Sequence, residues 1–244
     1  MEMVVLYLLN MGVANMEQRT DEWYLARKGK FTASEIVNLT VKGKKKDEYF
    51  GQTAISYIYQ KASEYVMPDN NFILNCTDNG LSGKAINWGV MYEDEAREEY
   101  EKLTNKKVTQ AGFITFNEYS GVSPDGIIEI DNGLIEIKCP FDSGTHIKYL
   151  SLNNGDDLKE LNKQYWCQVQ FQMLGLNADY CDFVPYDPRQ GKLFKLGITT
   201  VYPDKEFQEE LKERITKAGE LRDTIIDQIM EKQMSYGINK RTNK

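Results

Sequence analysis

A chain of 244 residues, 41% hydrophobic and 11% aromatic with 15 tyrosines, has enough apolar side chain to close a core and is not a disordered tail. Its net charge of −7 argues against a protein that coats nucleic acid through its bulk field, but leaves room for a positive groove around acids that hold a metal. The cysteines Cys76, Cys139, Cys167 and Cys181 form no C-x-x-C pair, so neither a zinc ribbon nor a short disulfide framework is indicated, and free thiols in a reducing cytoplasm follow. The lone His146 cannot build a histidine-rich zinc site.

In chain order, the apolar run Met3 to Leu9 is too short to span a bilayer and lacks the basic front of a secretory signal. It reads as an edge strand, or as an extension ahead of a start at Met16. "TDEWYLARKGK" and "TASEIVNL" read as short helices, with Thr32 and Glu35 in capping-box spacing for the second. Residues 47–66 predict a core helix that stops before Pro68, and an Asn-rich connection is expected from Asp69 to Gly80. A long helix follows in "SGKAINWGVMYEDEAREEYEKLTN", with Ile86, Val90, Ala96, Tyr100 and Leu103 marking its apolar stripe.

The period then drops to two. "KKVTQAGFITF", "GVSPDGIIEI" and "GLIEIKCP" predict three strands of an antiparallel meander, with Asp131-Asn132-Gly133 as the last turn. "LKELNKQYWCQVQFQMLGL" is helical, "DYCDFVPYD" and "KLFKLGITTVYP" are strand-like, and a charged helix from about Asp204 to Met234 precedes a loose tail at 235–244. Strands interrupting helices in this order predict an α/β (α+β) domain, a mixed sheet flanked by helices, as a single unit over 1–244 with 1–15 non-native or loosely ordered.

Residues two apart on a strand share a face, so Glu136 and Lys138 point one way while Ile135 and Ile137 pack the other. The turn can bring Asp125, in Ser123-Pro124-Asp125-Gly126, beside Glu136. Two acids and an amine suit metal-assisted phosphodiester hydrolysis: Asp125, Glu136 and the Ile137 carbonyl offer the oxygens Mg²⁺ prefers, and Lys138 can orient water and offset developing charge. Glu-x-Lys strands and Asp-Gly turns are also common on ordinary surfaces, so the trio alone does not select this chemistry.

The trio resembles the PD-(D/E)XK nuclease superfamily. "DEWYLARKGKFTASEI", "WGVMYEDEAREEYE", "GVSPDGII", "GLIEIKCPF" and "YWCQVQFQMLGL" together resemble, in order and spacing over most of residues 17–190, the phage lambda exonuclease or YqaJ-type family of alkaline exonucleases. The resemblance implies a restriction-endonuclease-like core with metal ligands at Asp125, Glu136 and the Ile137 carbonyl, and Lys138 serving the nucleophilic water. It implies Glu93 as a helix acid near the site, a residue that spacing alone does not favour over Glu95 or Glu98. It implies Gln168 beside the lysine, and helical spacing puts Gln168 and Gln172 on one face with Gln170 elsewhere. Arg27 and Ser34 match the positions that hold a terminal 5′ phosphate, a use that suits a forked guanidinium and a hydroxyl at a helix start. Trp23, Trp88 and Trp166 read as core rather than base-stacking residues.

The implied activity is 5′-to-3′ degradation of one strand of linear duplex DNA, with Mg²⁺ or Mn²⁺, one or two ions per site, leaving a 3′ single strand. The implied partners are DNA ends and a single-strand annealing protein, in a toroidal homotrimer encoded by a phage or prophage, with no membrane. Two alternatives stay open: a structure-specific or restriction-like endonuclease, which would not need Arg27 and Ser34, and a non-catalytic DNA-binding module, which would not need both acids and the lysine. Scattered cysteines argue against an iron–sulfur relative.

Overall fold

The computed structural model describes residues 16–45, 47–78 and 84–242; the apolar run Met3 to Leu9 lies outside them. Helix α1 (Asp21–Arg27) is capped by the Thr20 side chain, which accepts from Trp23 N, and leads into strand β1 (Phe31–Thr32). The next segment, Ala33–Thr40, is a 3₁₀ helix, and Thr32 makes no side-chain cap bond. The expected capping box fails because Thr32 is a buried strand residue paired with Gly121, while Glu35 reaches Lys61 at 3.4 Å instead.

Helix α2 (Gln52–Val66) ends before Pro68, but the expected Asn-rich connection is helix α3 (Asp69–Asp78). Proline stops one helix and suits the start of the next, since its missing N–H would be unpaired there anyway; its carbonyl accepts from Phe72 N at 2.9 Å, and Phe72 is buried. In α4 (Lys84–Thr104) the stripe is narrower than the sequence suggests: Ala96 and Tyr100 are buried, whereas Val90 and Leu103 are exposed. The side chain of Ile86 lies outside the description.

The meander is instead divided between two sheets. Strands β3 (Ile114–Asn117) and β4 (Ser120–Val122) join β1 in the order β1-β4-β3, because β4 pairs parallel with β1. Strands β2 (Val108–Thr109), β5 (Gly126–Ile128), β6 (Gly133–Lys138), β7 (Tyr180–Pro185) and β8 (Thr199–Val201) form the mixed second sheet in the order β2-β5-β6-β7-β8, with only β6 and β7 parallel. Between β6 and β7 run helices α5 (Ser143–Leu150), α6 (Gly155–Leu161) and α7 (Lys163–Leu176). The single helix expected over "LKELNKQYWCQVQFQMLGL" breaks at Asn162, whose side chain caps α7 by accepting from Tyr165 N. Helix α8 (Lys205–Thr242) closes the chain and runs past Met234.

Strand β6 is central, and the sheet separates two cores. Leu134 belongs to the larger, with Val169, Phe171 and Met173 of α7, whereas Ile135 and Ile137 pack with Ala96 and Tyr100 of α4 in the smaller. The alternation assigned to Glu136 and Lys138 against Ile135 and Ile137 therefore holds, with both faces of the strand covered by helices. Among the described residues no helix is long and apolar enough to cross a membrane.

Candidate active site

The hairpin register aligns the acids. Asn132 adopts φ 51° in the turn, Gly126 pairs with Ile135, and Asp125 therefore stands one step further out, level with Glu136. Glycine is required at 126, because an added Cβ would lie 2.1 Å from Val108 Cγ1. Beyond Ile135 the β5 pairing ends, and Asp125 Oδ2 takes its place by accepting from Ile137 N at 2.7 Å. In a strand the N–H and C=O of one residue point the same way, so the Ile137 carbonyl also faces the edge where Asp125 stands.

Glu136 is 1% exposed, and such burial needs several partners. Gln168 Nε2 donates to its Oε1 and Gln172 Nε2 to its Oε2, each at 2.6 Å, and Lys138 Nζ also contacts Oε1. Lys138 lies 4.8 Å from the centre of the Tyr165 ring. Burial pulls the Lys138 ammonium down, but Glu136 and then Asp125 outweigh it and the group stays charged above the ordinary lysine range. It therefore acts as a cation and hydrogen-bond donor. The Asp125 carboxyl is pushed well above the usual range by burial, then by Glu136 and Glu93, against the pull of Lys138 and the Ile137 N–H. Burial, with Glu93 and Asp125 nearby, pushes the Cys139 thiol up to about 12 and makes it a poor nucleophile.

Glu93 borders the same space on α4. Its carboxylate pairs with Arg19 at 2.5 Å and Arg97 at 3.3 Å, and Arg97 Nε donates to the Asp125 carbonyl at 3.3 Å. A cavity of about 480 Å³ is lined by Arg19, Arg27, Ser34, Glu93, Asp125, Glu136, Ile137, Lys138 and Gln168, among others. Every site residue named from the sequence thus opens on one space. The Arg27 guanidinium stacks on Trp23, 3.9 Å from the ring centre, and burial lowers its pKa, so an anion would find it poorly hydrated. Trp166 is core, as expected; Trp23 is not, being a half-buried wall of the cavity that donates through Nε1 to Ser123 Oγ at 3.2 Å. Trp88 is half-buried beneath the Arg189 guanidinium, 4.3 Å from its ring centre. His146 is structural, its Nε2 held 2.8 Å from the Phe194 carbonyl, and all four cysteines are free.

Sequence reasoning missed Arg19 and Arg97. The i, i+4 spacing of Glu93 and Arg97 was a usable signal; nothing local pointed to Arg19. Among the described residues no group of three or more His, Cys, Asp or Glu forms a metal cluster by itself. The donor set of two carboxylates and a main-chain carbonyl nevertheless fits a hard divalent cation, which keeps several waters as ligands.

A mixed sheet whose central hairpin carries an Asp, a Glu-x-Lys and a covering helix with paired glutamines defines a nuclease of the PD-(D/E)XK class. More narrowly, the chain belongs to the YqaJ-like viral recombinase domain family, whose model matches residues 22–176. It is similar to the alkaline exonuclease LHK-Exo from Laribacter hongkongensis, with 26% identity and a TM-score of 0.70 over 89% of this chain and 100% of that one. The same protein in complex with dAMP matches with 28% identity, the same TM-score and the same coverage. A phage-related exonuclease from Haemophilus somnus shares the fold, with 16% identity and a TM-score of 0.63 over 84% of this chain and 99% of that one. No curated protein matches the chain significantly.

Proposed function

We propose that this protein is a Mg²⁺-dependent exonuclease that degrades one strand of linear duplex DNA from its 5′ end and leaves a 3′ single strand for annealing. The observation that carries the reading is the opening of Arg27 and Ser34 onto the same cavity as Asp125, Glu136 and Lys138. An enzyme that cuts internally has no terminal phosphate for such a pair to hold. The dAMP bound by the similar exonuclease is a nucleoside monophosphate, the product class expected of such a reaction.

Asp125, Glu136 and the Ile137 carbonyl would hold the divalent ion, which when bound polarises a phosphate oxygen and lowers the pKa of water. Arg27 and Ser34 grip the terminal phosphate and set the register of the strand. Lys138 orients the attacking water and offsets negative charge as it builds on phosphorus. Gln168 and Gln172 fix the Glu136 carboxylate, so that little reorganisation is needed during the reaction. The water oxygen bonds to phosphorus, the P–O3′ bond breaks, and the departing 3′ oxygen takes up a proton. The remaining strand then carries a new 5′ phosphate for the next cycle.

The test compares 5′-phosphorylated linear duplex, 5′-hydroxyl linear duplex and closed circular DNA in Mg²⁺. Fast release of nucleotides from the first, slower release from the second and an intact circle are expected. Cutting of the circle sinks the exonuclease reading, and a 5′-phosphate preference that survives in Arg27→Ala removes Arg27 from its role. A ring-shaped trimer and a single-strand annealing partner belong to the same proposal, tested by solution mass and by co-purification with the annealing protein.

A further inference from the structure

Phe141 ends the segment "GLIEIKCPF" but has no part in the reading above. It sits in the loop 139–142 between β6 and α5, three residues after Lys138 and so no more than about 11 Å from it along the chain. The ring lines the active-site cavity, among acids and cations, and the residue is 47% exposed. Val90 of α4, also exposed, lines the same cavity. A single exposed aromatic residue needs no explanation by itself. One that is held in place beside the reacting groups does.

The loop is anchored at both ends. Arg189 Nη2 donates to the Phe141 carbonyl at 2.9 Å, while its Nε and Nη2 fork onto the two oxygens of Asp187 at 2.8 and 2.9 Å. Asp187 is fully buried and also accepts from Ser143 Oγ at 2.8 Å, at the first residue of α5. At the other end, Tyr186 N donates to the Lys138 carbonyl at 2.9 Å. The chain that follows β7 thus fixes the backbone that carries the ring. Among the described residues, the ring meets Trp88 with centres 5.8 Å apart and planes at 85°, and the Arg189 guanidinium at 5.9 Å. The first is perpendicular and the second too distant for flat stacking, so stacking surface on the ring is left free.

A strand end that enters the cavity must leave the duplex, and its unpaired base loses the stacking it had there. An aromatic ring restores that contact for any base, because every base has a π face, and it does so at small entropic cost when the ring is already held. We propose that Phe141 is a stacking platform for the nucleobase that flanks the scissile phosphate on the cleaved strand, holding the base without reading its identity. The inference rests on the exonuclease reading and adds a base subsite to its phosphate sites.

The experiment follows release of the first nucleotide from a 5′-phosphorylated duplex, with the full chain in excess over DNA but below saturation. The cleaved strand is intact or carries a tetrahydrofuran abasic residue at its first or second position. In the unsubstituted protein, the missing base at one of these positions should lower the rate by about 5–150-fold, the range for loss of one base–aromatic stack. Phe141→Ala should show that loss already on the intact duplex, with little further loss on the abasic one. Phe141→Leu, which keeps apolar bulk without a flat face, should resemble Phe141→Ala, and Phe141→Trp should resemble the parent. Melting temperatures near the parent's are expected throughout, because the ring is half exposed. Indifference of the unsubstituted protein to a missing base at both positions, an undiminished abasic penalty in Phe141→Ala, or a parental rate in Phe141→Leu overturns the platform. Cutting of closed circular DNA overturns the underlying exonuclease reading instead.

Discussion

Two faces of helix α7 use the same side chain for different ends. On one face, Gln168 and Gln172 donate to the two oxygens of Glu136 and hold a buried carboxylate at the centre of the site. On the other, the fully buried Gln170 donates to the Tyr202 carbonyl at 2.8 Å and accepts from Asp204 N at 2.9 Å and Gln208 Nε2 at 3.3 Å, tying α7 to the start of α8. An amide can donate and accept at once, so it serves either task. What it meets across the interface decides which, and the contrast teaches that identical residues two positions apart need not share a role.

The largest expected effect lies at the residue that the site-facing glutamines serve indirectly. Lys138→Ala should lower the turnover rate by about 10²–10³-fold, the usual loss for a group that stabilises transition-state charge, with duplex binding retained in a gel-shift assay. A variant with near-normal turnover would break the assignment of Lys138. Gln168→Ala should lower turnover by about 10–100-fold, as expected for a residue that orients a metal ligand. Single-turnover rates on a 5′-phosphorylated duplex measure this, and unchanged rates would reduce Gln168 to packing.

Gln170→Ala sharpens the comparison from the other side. It should leave turnover near normal while costing about 1–3 kcal/mol of stability, because the Asp204 N–H and the Tyr202 carbonyl lose a buried partner. In a chain of this length that corresponds to a fall of about 2–4 °C in melting temperature for each kcal/mol. A loss of activity without a loss of stability would erase the distinction between the two faces.

The smallest effect is a dependence on pH. The raised Asp125 carboxyl means that the metal-free fold holds a proton which the unfolded chain has already released. Its contribution to stability is present below the ordinary aspartate value and is lost as pH rises through the raised one. Because the ion needs the carboxylate, the rise in melting temperature on adding Mg²⁺ should grow as pH rises from the ordinary aspartate value through the raised one. In Asp125→Asn that growth should disappear; a shift independent of pH in the parent would separate Asp125 from the ion.

Local pattern was a good guide where it depended on one segment alone. The period of two in "GLIEIKCP" and the Asp131-Asn132-Gly133 turn are enough to pair Asp125 with Glu136, because a hairpin's register follows from its turn. Helical spacing likewise separates Gln168 and Gln172 from Gln170. Local pattern failed where a distant segment competed for the same residues. Thr32 has the spacing of a helix cap, but β4 claims it as a strand partner. The expected meander divides because β4 finds β1 across some ninety residues of chain, a pairing with no signal in either segment.

The sequence by itself determined the hairpin, its two acids and lysine, the amphipathic helices and, through five ordered motifs, the family. These depend on the spacing of residues near one another in the chain, and spacing is what a sequence records. Only the tertiary structure decided that Glu93 meets Arg19, that Trp23 walls the cavity while Trp166 fills the core, and that Arg27 and Ser34 face Lys138 across one space. Those relations join residues dozens of positions apart, and the packing of the two sheets with their helices sets the distances between them.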